Sequence, residues 1–60
     1  MKSDEFHRIV RHNGWTVLRQ AGSHIIYVKG GRTYPVPYHK GKEIGIGLER
    51  KMKRDMGLKY

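Results

Sequence analysis

Cysteine is absent from this 60-residue chain. That removes a disulfide framework and thiolate metal sites, and it suits a reducing compartment. With no cross-link to rely on, one thin core must hold the fold, because a chain of this size buries only about 60% of the surface it exposes when unfolded. A deep substrate cavity is therefore not expected. Long apolar runs are also missing: the opening MKSDEF lacks the apolar stretch of a secretory signal and nothing later could span a bilayer, so a cytoplasmic protein is expected. Acidic residues are scarce. Five Asp and Glu stand against 13 Lys and Arg, a net charge of +8, and such an excess points to a polyanionic partner, nucleic acid first. No helix pairs a Trp or Phe face with a Lys face, which ranks a membrane surface lower.

The charge is uneven. Residues 1–23 carry four basic and two acidic side chains, residues 24–60 nine and three, so the second part should dominate the electrostatic footprint. Ser3 can cap a helix over Asp4 to His12, with Asp4 and Glu5 at its positive end and Phe6, Ile9 and Val10 as its apolar stripe. WTVLRQ and HIIYVK are rich in β-branched and aromatic residues and are separated by Ala21-Gly22-Ser23, which reads as a hairpin. Gly30-Gly31 then supplies a second tight turn into RTYPVPY, where Pro35 and Pro37 confine the third strand to a sheet edge. HKGKEIGIG, His39 to Gly47, reads as a loop. After it Leu48, Met52 and Met56 form a narrow apolar stripe that Gly57 ends.

This order predicts a single domain over residues 1–60, of α+β class: α-β-β-β-α, a three-stranded antiparallel sheet with both helices on one face and the other face bare. Double-stranded-RNA-binding domains share that arrangement.

The four histidines do not make a metal site by spacing, since His7 and His12 are five apart and no carboxylate or thiolate stands at ligand distance from any pair. Ser23 beside His24 lacks the setting of an acyl-transfer nucleophile. RNA chemistry asks for less. RNA carries its own nucleophile in the 2′-hydroxyl, so one imidazole with a pKa near neutrality, together with cations around the phosphate, suffices. His24 is a candidate base on these grounds, although a solitary histidine at a strand start is more often a surface or rim residue, and spacing alone does not rank His39 below it.

Strand alternation adds a difficulty. His24 shares its parity with Ile26 and Val28, which look like core, while Ile25, Tyr27 and Lys29 suit the bare side; either His24 swings out at the rim or the two faces are the other way round. Trp15 reads as core, and Tyr27, Tyr34 and Tyr38 can pack or can stack on unpaired bases. The run ERKMKRD reads as a solvated face with spacing-four ion pairs from Glu49 to Lys53 and from Lys51 to Asp55.

Gly14-Trp15, Arg19, Gly22-Ser23-His24, Tyr27, Val36-Pro37 followed by His39, the Lys40 to Glu43 loop, Gly47 and the closing Gly57-Leu58 together resemble the HicA toxin family, small RNA-cleaving partners of HicB antitoxins. The resemblance covers nearly the whole chain. It implies a double-stranded-RNA-binding-like fold, endonucleolytic cleavage of messenger RNA that inhibits growth, and a HicB-type antitoxin as neutralising partner. It also implies that His24, in the family's Gly-Ser-His position, is catalytic, and that His39 falls on a second common histidine. Where members often carry a threonine helix cap, Leu48 stands here. The resulting expectation is a metal-independent, cofactor-free endoribonuclease with Lys29, Arg32, Lys40, Lys42, Arg50 and Lys51 holding phosphates. The alternatives are a non-catalytic basic RNA-binding module, which charge and fold explain equally well, and a structural component of a ribonucleoprotein.

Overall fold

Ser3, Phe6, His7 and Val10 recur at spacings of three and four, and they are the buried residues of the first helix, α1 (Ser3–His12). The computed structural model describes all 60 residues; β1 (Thr16–Ala21), β2 (His24–Lys29), β3 (Arg32–Pro37) and α2 (Ile46–Met56) follow in order. Asp4 and Glu5 occupy the first turn of α1, and Arg11 and His12 the last, each sign meeting the helix end that favours it. Ser3 does not act as the expected cap. It is the first helical residue, its N–H donates to the Lys42 carbonyl at 2.8 Å, and its Oγ accepts the His39 N–H at 3.3 Å. The chain after β3 thus satisfies a backbone donor that a capping side chain would otherwise serve.

The strands form one antiparallel sheet in the order β1-β2-β3. Gly30 and Gly31, at φ 56° and 79°, close the β2–β3 hairpin with the paired positive φ angles such a turn needs. Pro35 and Pro37 lie on β3 at the sheet edge, where a missing N–H breaks no ladder. On the opposite edge the register slips between Val17 and Arg19, a bulge that inserts Leu18.

All eight buried apolar residues lie in one layer between sheet and helices: Phe6, Val10, Trp15, Tyr27, Val36, Met52, Met56 and Leu58. Trp15 is core, as read, and its indole N–H donates to the Met56 carbonyl at 3.2 Å. Tyr27, fully buried, and Ile25, packed against the cluster, face the helices; His24, Ile26 and Val28 therefore point to the bare side. The sequence-based assignment of the two faces is thus reversed. A tyrosine can fill core when its hydroxyl finds a partner, and Tyr27 has one.

α2 also begins earlier than expected. It starts at Ile46 and includes Gly47, while Leu48, 43% exposed, does not join the core. Only Met52 and Met56 are buried along α2, so its first turn lies beyond the apolar layer. Gly57 ends the helix in the left-handed conformation at φ 65°. Leu58 then folds back, its N–H donating to the Lys53 carbonyl at 2.9 Å, which closes the helix and buries Leu58 in one motif.

Candidate active site on the open sheet face

His24 opens β2 directly after the two-residue Gly22-Ser23 turn, opposite Ala21 of β1 and Pro37 of β3. It is exposed. The turn is pinned from the other hairpin by the Tyr38 N–H, which donates to the Ser23 carbonyl at 2.7 Å. Arg19 pairs with Ile26, so it shares the open face and stands diagonal to His24, about 7–8 Å away between Cα atoms, within reach of a long side chain. Sequence reasoning did not place Arg19 among the phosphate-holding cations. The signal was present: a two-residue turn joining Ala21 to His24 fixes Arg19 on the same face.

The expected cations do not gather in one place. Lys40 and Lys42 are exposed in the connection that leaves β3 at the His24 end of the sheet, as is His39. The Lys42 carbonyl accepts the Ser3 N–H at 2.8 Å, and the Ile44 N–H donates to the Met1 carbonyl at 2.9 Å, so this connection is tied to the start of α1 rather than loose. Lys29 lies five residues further along β2, about 16–17 Å from His24 at strand rise, and its ammonium donates to the Asn13 carbonyl at 2.7 Å. Arg32 donates to the Asp55 carbonyl at 3.0 Å and lies 5.8 Å from the Trp15 ring. Lys51 pairs with Asp55 at 2.6 Å, and Arg50 is exposed on α2 across the sheet from His24.

A second imidazole is buried rather than exposed, and sequence reasoning weighed it only as a metal ligand. His7, 3% exposed, bonds the Pro37 carbonyl through Nε2 at 2.9 Å and the Tyr27 hydroxyl through Nδ1 at 2.6 Å. A carbonyl only accepts, so Nε2 carries the proton and the neutral Nδ1 accepts from the tyrosine. Burial pushes the His7 pKa below the usual imidazole value, with the nearby Arg11 guanidinium adding to it and the Pro37 carbonyl and Asp4 opposing. Burial likewise raises the Tyr27 hydroxyl. A recess beside them, about 250 Å³ and lined in part by Asp4, Arg11, Val17 and Tyr38, opens on the helix side. His24 is not among its walls. The imidazoles thus divide between a buried, fixed His7 and the exposed His12, His24 and His39.

A family model for the HicA toxin of bacterial toxin-antitoxin systems matches residues 3–58. The chain belongs to the HicA toxin family. A curated HicA-family relative, the probable mRNA interferase HicA of Pseudomonas fluorescens (strain Pf0-1), is 34% identical over 59 residues, covering 98% of each chain. No solved structure matches. The HicA match takes in both hairpins, the Gly22-Ser23-His24 turn and the connection after β3.

Proposed function

We propose that this HicA-family toxin is an mRNA interferase, a metal-independent endoribonuclease acting through His24 and neutralised by a HicB-type antitoxin in the cytoplasm. One observation carries the reading: His24 is the exposed imidazole on the open face of the sheet, with Arg19 one diagonal step away. The family match and the mRNA interferase name of the relative support the same chemistry.

An RNA strand on this face presents its 2′-hydroxyl to the neutral imidazole, which takes the proton as the oxygen attacks the adjacent phosphorus. The new O2′–P bond forms as the P–O5′ bond breaks, and the leaving oxygen takes a proton from water. Arg19, Lys40 and Lys42, at the same end of the sheet, stabilise the charge that builds on the phosphate oxygens. The products are a 2′,3′-cyclic phosphate and a 5′-hydroxyl end. Lys29, Arg32, Arg50 and Lys51, which lie further off, serve the flanking RNA.

The test is incubation of wild-type and His24→Ala proteins with a long RNA in the presence of a chelator. Acid-base catalysis by a positioned group contributes about 10² to 10⁴ in rate, and truncating an exposed side chain changes stability by no more than about 0.5 kcal/mol. His24→Ala is expected to keep its melting temperature and its binding to antitoxin while losing cleavage and toxicity. A wild-type protein that binds RNA without cutting it would make the non-catalytic module the correct reading, and cleavage by a folded His24→Ala would move the role to His39.

A further inference from the structure

The outer face of α2 gathers positive charge that neither the core nor the open sheet face uses. Arg50 and Arg54 each stand two residues from Met52, about 160° round a helix of 3.6 residues per turn. As Met52 is buried against the sheet, both arginines point directly away from it. Together with Lys53 and Lys59 they wall a shallow concavity completed by Gly57 and Leu58, with no carboxylate in it. The acids of α2 are engaged elsewhere: Glu49 accepts the Tyr60 hydroxyl at 2.7 Å, and Asp55 accepts Tyr34 at 2.8 Å and Lys51 at 2.6 Å. Cations at a helix C-terminus suit its dipole, which accounts for Lys53 and Arg54. Arg50 lies too far up the helix for that, and Lys59 lies beyond its end.

We propose that this face is a second phosphate-binding surface, gripping the backbone of the same RNA away from the segment held at His24. The proposal rests on the reading of RNA as substrate. Two features favour a nucleic-acid backbone over an acidic protein. Guanidinium forks at spacing four stand about 5–6 Å apart at Cβ, close enough to engage neighbouring phosphates of one strand. The concavity's only apolar wall is Leu58, which is buried, whereas protein interfaces need an apolar centre. The exposed apolar side chains of α2, Ile46 and Leu48, lie at its opposite end. His24 and this face are on opposite sides of the domain, so one strand reaches both by passing round the edge.

The probe is the variant Arg54→Gln/Lys59→Gln, with Gln chosen to keep helix propensity and the fold checked by circular dichroism. Binding of an unstructured, fluorescently labelled RNA of about 40 nucleotides is measured in the His24→Ala background, where two lost contacts should flatten the log affinity against log salt slope by about 1.4. Between 50 and 200 mM salt that is roughly a sevenfold smaller loss of affinity. With His24 intact, kcat/KM should fall for the long RNA and hold for one of about six nucleotides, near the low end of single-strand site sizes. An unchanged slope overturns the second surface. Equal losses on long and short RNA overturn it too, by placing these cations at the cleavage face, as does an unchanged slope with weakened antitoxin binding. If the His24→Ala parent binds no RNA at all, the RNA reading itself falls with it; if the parent binds and only the variant's slope fails to move, only this proposal does.

Discussion

Lowering the pH from 7.5 to 5.5 should destabilise the fold through one residue, His7. Its imidazole is buried, neutral, and held by Tyr27 and the Pro37 carbonyl, and its folded pKa lies below the usual value of 6.5. Above that value both folded and unfolded chains carry His7 uncharged and its contribution is complete. Below it the unfolded chain takes up a proton that the folded chain refuses, so stability falls until the pH passes the folded pKa. One unit below 6.5 the loss reaches up to about 1.4 kcal/mol, and for a domain of this size each kcal/mol moves the melting temperature by about 4–8 °C. A fall of about 6–11 °C is therefore the ceiling expected on these figures. Arg11 and Asp4 are the charged groups that face His7, and Asp55 and Glu43, whose pKa values are lowered by their partners, act only at more acidic pH. Thermal melts of wild type and His7→Gln across the window provide the assay, since the variant keeps His12, His24 and His39. Should His7→Gln not fold, an NMR titration of the wild-type His7 ring reads the same quantity directly. A melting temperature that does not move in wild type, or that falls equally in His7→Gln, refutes the reasoning.

Gly57→Ala forces a side chain onto the left-handed cap of α2, a conformation that costs about 1–2 kcal/mol for residues with a Cβ, and calorimetry should show a correspondingly lower melting temperature with cleavage retained. Asp55→Ala removes the acceptor shared by Tyr34 and Lys51. The Lys51 ammonium and then the Tyr34 hydroxyl hold that carboxyl below its usual range, so the variant should melt earlier at neutral pH and lose part of the acid dependence below about pH 4. Arg19→Ala should leave the fold intact, lower kcat/KM, and flatten the salt slope of single-stranded RNA binding by about 0.7, one phosphate contact. An unchanged slope removes Arg19 from the site.

The element order was legible because each segment's local chemistry agreed with its place: β-branched strands, diglycine and Gly-Ser turns, prolines on an edge, and a glycine after the second helix. What failed was long-range. His7 sits at a core spacing of α1, three before Val10 and four after Ser3, a pattern open to inspection, yet its partners Tyr27 and Pro37 are 20 and 30 residues away. Without them His7 entered the sequence reading only as a possible metal ligand and Tyr27 was set on the bare side, with reversed faces left as the alternative that the structure bears out. Ser3 was misplaced for a similar reason, since its donor is met by Lys42, 39 residues on. The turn before His24 was read as Ala21-Gly22-Ser23, whereas Ala21 belongs to β1 and pairs with His24, which is what sets Arg19 on the His24 face. The phosphate-holding set was drawn from charge alone, and charge along a chain carries no information about which side of the sheet receives it.

Pro35 and Pro37 have a further effect on how copies of this protein meet. Along the outer margin of β3 the backbone offers no N–H at either position, so another chain's strand finds acceptors there and few donors. The bulged margin of β1 remains, and a sheet that can add a strand on one side only cannot extend in both directions. Two molecules joined through β1 would present nothing but proline-bearing margins to a third. Edge-to-edge pairing of folded copies would therefore close at pairs instead of continuing strand by strand.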